Sequence, residues 1–226
     1  MKAIALLSGG LDSVVSCYKA VCEDIDIIRC LFFDYGQKAL EAEKKAAVFF
    51  SDAWDSKLEV IDLPFLKNIT GTSLVNSTQT PQMTFRQLEN DESTQQSMLS
   101  VWVPNRNGLF INIAASYCDS LHAERIIVGF NQEEAATFPD NTKSFLHGIN
   151  SSLEFSTLEN VKVIAPYIDC DKTEIVRQAL DLGVPVRKIW SCYHSFEKMC
   201  GSCESCIRFK RALDINSVTY SGWFLI

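Results

Sequence analysis

Glycine and proline are scarce in this chain, ten and six among 226 residues, and no internal repeat or low-complexity tract appears. With 47% hydrophobic residues the chain is long enough for one sizeable core, or one domain with an appendage. Positive charge is also short: 21 Lys and Arg face 28 Asp and Glu, for a formal net charge of -7. A general electrostatic grip on DNA, RNA or an anionic membrane is thereby excluded, although a local basic patch is not. No apolar run approaches the length of a membrane span, and Met1 to Ser8 is too short for a signal peptide before it meets Gly9-Gly10, so a cytoplasmic protein is expected. Cysteine breaks the pattern of scarcity. There are nine, an odd number, and Cys200, Cys203 and Cys206 crowd together, which in a reducing compartment points to metal rather than to disulfides.

Short apolar runs alternate with helix-like segments. Ala3 to Leu7, Ile27 to Phe33 and Leu58 to Ile61 read as strands, separated by helices over Asp12 to Cys22 and Lys38 to Phe50. Strands apolar throughout suit a parallel sheet covered on both faces. From about Asn68 to Ser100 the chain turns polar, and the reading there is a long, partly mobile excursion or lid. The rhythm resumes with a helix over Asn107 to Leu121, a strand Arg125 to Gly129, a helix near Ser144 to Phe155 and a strand Val161 to Ala165. Asp171, with Glu174 three residues on, opens a further helix that Gly183 and Pro185 end. The expectation is a Rossmann-like α/β domain over 1–186 and a C-terminal cysteine-rich subdomain over 187–226.

Ser8-Gly9-Gly10-Leu11-Asp12-Ser13 lies between the first strand and the first helix. Two glycines let the backbone turn sharply and expose amide N–H groups, and the helix N-terminus directs a partial positive charge at the same spot. The serine hydroxyls add donors. An anion is favoured there, and Asp12 either holds a magnesium ion against it or caps the helix. The Gly-Lys-Ser/Thr ending of a Walker A loop is absent. After the second strand, Phe33-Asp34-Tyr35-Gly36-Gln37-Lys38 faces the same side of the sheet, where Gln37 has the donors and acceptor to meet a nucleobase or ribose. An ordinary turn fits that string equally well.

Cys192, Cys200, Cys203 and Cys206 follow the spacing C-x7-C-x2-C-x2-C. Four thiolates close a tetrahedral zinc shell, so such a site is structural; an iron–sulfur cluster takes the same ligand set. His194 is a possible substitute ligand, and the other five cysteines read as small core residues. Arg106, in Val103-Pro104-Asn105-Arg106-Asn107, opposes the dipole of the helix it begins, which suggests a charge in use on phosphate or carboxylate, while Asn105 or Asn107 is placed to cap that helix. Lys172 stands at a strand-to-helix junction on the ligand side, as a phosphate contact or a solvated first-turn residue.

The glycine loop resembles that of the ATP pyrophosphatase superfamily. Taken with Asp34-Tyr35-Gly36-Gln37, Val103 to Asn107, Gly129-Phe130-Asn131-Gln132-Glu133-Glu134, Phe138-Pro139-Asp140-Asn141 and the cysteine string, the chain resembles the 7-cyano-7-deazaguanine synthase family from Met1 to about Leu213. The resemblance implies an adenine nucleotide α-hydrolase type of fold. It implies an ATP- and Mg²⁺-dependent ligase that adenylates 7-carboxy-7-deazaguanine and converts it with ammonia, through an amide, to the nitrile. It places Ser8, Gly9, Gly10, Leu11, Asp12 and Ser13 on the nucleotide's phosphates and Tyr35 and Gln37 near the nucleotide. Asp12, Arg106, Asn107 and Lys172 fall at the reacting centre, Arg106, Glu133 and Asp140 on the substrate, and zinc on the four cysteines. A homodimer is a family expectation, with neither nucleic acid nor membrane as partner.

The chain also departs from the family. Where many members read Cys-Arg after the aspartate, this one has Asn141-Thr142, which bears on the acid recognised, and either Glu41 or Glu43 matches the glutamate that follows Tyr-Gly-Gln. Competing readings are a tRNA thiolase, a ligase for another acid that stops at amide or conjugate, and a zinc-knuckle nucleic-acid-binding module. A thiolase would carry a basic appendage that this acidic chain lacks.

Overall fold

The computed structural model describes all residues from 1 to 226. Five parallel strands form one sheet: β1 (Lys2–Leu6), β2 (Asp26–Asp34), β3 (Lys57–Asp62), β4 (Arg125–Ile127) and β5 (Lys162–Ile164), in spatial order β3-β2-β1-β4-β5. The chain winds outward from β1 to one edge, then crosses back to fill the other, so the order reverses at the β1/β4 boundary. Crevices for ligands open at such a reversal, beyond the carboxyl ends of the strands.

Alternation within the strands explains the two apolar layers. Ala3, Ala5 and Leu7, with Cys30 and Phe32, face the layer formed by α1 (Leu11–Cys22), α2 (Leu40–Ala53), α8 (Lys172–Asp181) and α9 (Glu204–Ile215). Ile4, Leu31 and Phe33 point the opposite way, against α5 (Arg106–Leu121) and α7 (Lys143–Ser156). Full burial of side chains such as Phe32 and Ile126 contributes about 1.5–3 kcal/mol each. No helix is long and apolar enough to cross a membrane.

The boundary signals behave as their chemistry predicts at α8. Asp171 accepts the Glu174 N–H at 2.8 Å, and the Glu174 carboxylate accepts the Asp171 N–H at 3.0 Å, a complete capping box. At α5 the outcome differs from expectation. Asn105 occupies the cap position with φ +52° but makes no capping bond, and Asn107 donates instead to the Asp140 carbonyl at 3.2 Å.

The polar segment expected as a long, partly mobile excursion or lid carries regular structure. It follows α3 (Pro64–Ile69), contains a 3₁₀ turn (Phe85–Glu89) and nearly all of α4 (Asp91–Val101), and is pinned to the chain around Ser202 to Glu204. Gln82 pairs across to Cys203, the Met83 N–H reaches the Ser202 carbonyl at 3.1 Å, and the Glu204 N–H reaches Pro81 at 3.2 Å. Met83, Leu88 and Ile207 bury a small apolar contact beneath it. Residues 187–226, expected as a separate subdomain, share one apolar cluster with β1 and α1: Cys203, Cys206, Phe209 and Leu213 lie in it with Val14 and Ala5.

Candidate active site

A cleft of about 270 Å³ opens at the β1/β4 reversal and takes walls from the loops after β1, β2 and β4, from the start of α5, and from Trp190 to Tyr193. Its floor is the glycine loop. Gly9 has φ +78°, and a Cβ there would lie 2.7 Å from the Glu43 carbonyl, so the loop can lie flat on α2 only as glycine. Gly10 is the cap position of α1 and has no side-chain partner, which leaves the first amides of the helix open. The serines hold the loop's shape: Ser13 Oγ donates to the Gly10 carbonyl at 3.1 Å, the Gly10 N–H donates to Ser8 Oγ at 3.2 Å, and the two hydroxyls meet at 3.0 Å. Gly129, just beyond β4, presses on the same turn, since a Cβ on it would fall 2.5 Å from the Ser13 nitrogen. Leu11 points down into the core while its backbone stays in the loop.

Charge is concentrated on one side of this floor. Lys172, 5% exposed, reaches Asp12 at 2.8 Å and Glu134 at 3.1 Å. Burial pushes the ammonium pKa down, but the two carboxylates outweigh it and the net movement is upward, so Lys172 is a fixed cation. Burial also raises Asp12 against the pull of Lys172, and its net shift is upward. One Asp12 oxygen, Oδ1, is buried without a hydrogen-bond partner. Asp12 therefore does not cap its helix; it faces the cleft with an unused oxygen.

Glu133 and Glu134, adjacent in sequence, part company. Glu134 lines the cleft, and Lys172 and Arg208 overcome its burial to hold its pKa down. Glu133 turns to the protein side. Its carboxylate takes the Lys172 N–H at 2.9 Å, Arg208 at 2.7 Å and Arg211 at 2.5 Å, which leaves it a brace between α8 and α9 with no face toward a substrate. Glu133, the one expected on the substrate, thus stands outside the cleft lining and its neighbour Glu134 within it, because a helix start sends consecutive side chains in different directions.

Across the cleft, Arg106 donates to the Tyr35 hydroxyl at 3.3 Å. Asp140 is buried beside Arg106 and does not itself line the cleft; burial raises its pKa against the pull of Arg106. Phe138, Asn107 and Asn141 do line it. Gln37 does not present a free amide edge. Its oxygen accepts the Tyr35 N–H at 3.0 Å, and its nitrogen donates to the Phe33 carbonyl at 2.9 Å and to Glu43 at 3.2 Å, so it stiffens the turn after β2. Of the two candidate glutamates, Glu41 is exposed and Glu43 lines the cleft. Burial raises Glu43 to about 7, against the opposing pull of Gln37 and Arg106.

The four cysteine sulfurs lie within 4.8 Å of one another, all buried and none in a disulfide. Sulfurs about 2.3 Å from a central zinc stand about 3.8 Å apart at tetrahedral angles, and Cys200 and Cys206 are 3.8 Å apart. Backbone N–H groups point at two of the sulfurs, from Cys200 to Cys192 and from Cys203 to Cys200, both at 3.3 Å. His194 stays outside the cluster and meets Thr80 at 2.8 Å. This knuckle supports the cleft wall directly: the Trp190 N–H donates to the Gly9 carbonyl at 3.0 Å, and Cys192 itself lines the cleft.

Sequence reasoning left Glu134, Phe138, Trp190, Tyr193 and Arg208 without roles. Only Arg208 carried a readable local signal, an i,i+4 partner in Glu204, which it meets at 2.7 Å.

The chain is 48% identical over 213 residues to the 7-cyano-7-deazaguanine synthase of Pelotomaculum thermopropionicum, covering 94% of this chain and 96% of that protein. It is 49% identical over 211 residues to the 7-cyano-7-deazaguanine synthase of Carboxydothermus hydrogenoformans, covering 93% and 97%. Among solved structures, the NH3-dependent NAD synthetase of Campylobacter jejuni aligns at TM-score 0.45 and 16% identity, over 83% of this chain and 66% of that one. The model of the queuosine biosynthesis protein QueC family matches residues 2–217. With near-complete coverage at this identity, the chain belongs to the QueC family of queuosine biosynthesis enzymes.

Proposed function

We propose that this enzyme is an ATP-dependent carbon–nitrogen ligase that converts 7-carboxy-7-deazaguanine and ammonia to 7-cyano-7-deazaguanine, with release of AMP and pyrophosphate. The observation that carries the reading is the uncapped start of α1 under Gly9-Gly10, set in the same cleft as the Asp12–Lys172–Glu134 cluster and Arg106, in a chain of this family.

A carboxylate oxygen is a poor leaving group, and joining it to the α-phosphate of ATP turns it into a good one. Ser8, Gly9, Gly10, Leu11 and Ser13 offer amides and hydroxyls to the phosphates, where the α1 dipole adds to the attraction. The orphaned Asp12 Oδ1 fits a magnesium ion, which supplies charge neutralisation on the phosphates when bound. Lys172 adds a cation that stays protonated throughout the neutral range. Arg106, positioned by Tyr35, serves the carboxylate and the charge that develops as its oxygen attacks phosphorus; Asn107 is fixed beside it by the Asp140 carbonyl. Most of the rate then comes from placement and charge, so removing the Arg106 guanidinium costs on the order of 10²-fold or more in kcat.

The cysteine quartet fits zinc, with four thiolates at tetrahedral spacing and no position left for water, so its role is to brace the Trp190 to Tyr193 wall. One observation favours a second reading. Asn141 is buried and lines the cleft, where it donates to Asp140 at 3.3 Å, and an amide there suits a differently substituted acid.

The test is incubation with ATP, magnesium, ammonium and 7-carboxy-7-deazaguanine, followed by mass spectrometry. AMP, pyrophosphate and the nitrile are expected. Acid-dependent AMP release that stops at an amide supports the second reading, and absence of any acid-dependent ATP turnover refutes the first.

A further inference from the structure

Three carboxylates line the cleft: Asp12, Glu134 and Glu43. The first two share Lys172. Glu43 differs from both, because no cation lies within ion-pair distance of it and its only side-chain hydrogen bond comes from the Gln37 amide at 3.2 Å. Its place is nevertheless rigid. Gln37 is locked at its other atoms, and the Glu43 backbone forms part of the bed on which Gly9 lies. The groups that face it are Gln37 and Tyr35 from the turn after β2 and, at longer range, Arg106 from α5.

Amide and nitrile formation release protons that neither Lys172 nor Arg106, both permanently charged, is able to accept. We propose that Glu43 is the proton acceptor for the nitrogen nucleophile. The assignment rests on the ligase reading above. In the first stage Glu43 takes a proton from ammonium, the freed lone pair forms a C–N bond to the acyl carbon, and the C–O bond to phosphate breaks with its electron pair leaving on AMP. The remaining excess N–H proton follows the same route once Glu43 has passed the first to solvent. In the second stage the amide oxygen is adenylated with loss of pyrophosphate and one N–H proton. Loss of the last N–H proton then forms the nitrile as the C–O bond breaks and AMP departs. Burial of Glu43, which raises its pKa to about 7, suits a group that must both take and return protons near neutrality.

The experiment compares wild type with Glu43→Gln and Glu43→Asp across pH 6 to 9, after circular dichroism has confirmed folding. Adenylation alone is read by acid-dependent pyrophosphate exchange without a nitrogen source, and nitrogen transfer by amide and nitrile yield. Glu43→Gln is expected to lower nitrogen transfer by about 10²–10⁴-fold, far more than it lowers exchange, and to abolish the acid limb near pH 7. Glu43→Asp keeps that limb at reduced kcat. Hydroxylamine, already neutral at pH 7, restores turnover of Glu43→Gln as the hydroxamate while ammonium does not. An equal loss in exchange, a change confined to the KM of the acid, or a surviving acid limb in Glu43→Gln overturns the assignment and leaves the ligase reading intact. A folded wild type with no acid-dependent ATP turnover overturns both.

Discussion

Replacing Lys172 with methionine isolates the energetics of the cleft. Lys172→Met keeps an unbranched apolar stem of similar length, so packing changes little, but Asp12 and Glu134 lose the ammonium at 2.8 and 3.1 Å. Breaking a buried pair by removing one partner costs about 3–5 kcal/mol. Here the carboxylate side chains keep 20% and 30% exposure, which favours the lower end, about 3 kcal/mol. With a urea slope of about 2–3 kcal/mol per M, the unfolding midpoint falls by about 1–1.5 M at pH 7 in magnesium-free buffer. The pH dependence has a definite sign. In the wild type Glu134 is held low, so it contributes stability above its unfolded pKa that is lost as pH falls through the depressed value. In Lys172→Met both acids sit above their unfolded values, and their penalty is relieved as they protonate. The gap between the two proteins therefore narrows from pH 7 to pH 5. A gap below about 1 kcal/mol at pH 7, or one that stays constant over that range, refutes the account.

Gly129→Ala puts a Cβ 2.5 Å from the Ser13 nitrogen; a stability loss of about 1–3 kcal/mol is expected, with weaker ATP binding by calorimetry, whereas Gly148→Ala, exposed within α7 with open space around it, raises stability by about 0.5–1 kcal/mol and leaves ATP binding unchanged. Cys203→Ser should lower bound zinc from about one per chain by elemental analysis and reduce the melting temperature, while Cys22→Ser, at an exposed position, leaves both unchanged. Arg208→Met and Ser97→Ala both act on Glu204, so their effects on urea midpoints should be non-additive by about 0.5–3 kcal/mol; strict additivity would show that α4 and α9 are not energetically joined.

Legibility in the sequence followed the range of the interactions. The glycine loop, α1 and the Asp171 box were readable because each is set by neighbours within a few residues, and the cysteine spacing was readable because three of the four ligands come from one short piece of chain. The excursion was not, since its anchors are dispersed: Gln82 meets Cys203, Ser97 meets Glu204, and Met83 meets Ile207, contacts that no local pattern encodes. Its polar composition suggested a lid, but most of those polar groups bond within the segment, as Thr72 does to the Ser100 carbonyl and Asn76 to the Gly71 carbonyl, and Ser97 reaches Glu204 on α9. Which glutamate lines the cleft is decided at a finer scale. Glu133 and Glu134 have the same chemistry, and only the phase at which the Asn131 side chain caps the short helix Gln132–Ala135 decides which one enters the cleft. Gln37 has the right atoms for a nucleobase, and the sequence could not show that they are taken up by its own turn and by Glu43 on α2.

The position of the cysteine knuckle relative to the charged cluster has a mechanical consequence. Arg208 stands on α9, which begins next to Cys203, and it is held by Glu204 while it holds Glu133. Glu133 in turn accepts the backbone N–H of Lys172, whose side chain sets Asp12 at the phosphate loop. The other end of the knuckle reaches the same loop by a separate route, from Trp190 to the Gly9 carbonyl. Two connections of different chemistry, one ionic and one through the backbone, thus tie the four sulfurs to opposite ends of a six-residue loop. A metal bound there closes a ring of covalent and hydrogen-bonded links around the nucleotide floor. Its loss should loosen the loop even where the sheet stays folded, because nothing in β1 or α1 replaces the support from Trp190.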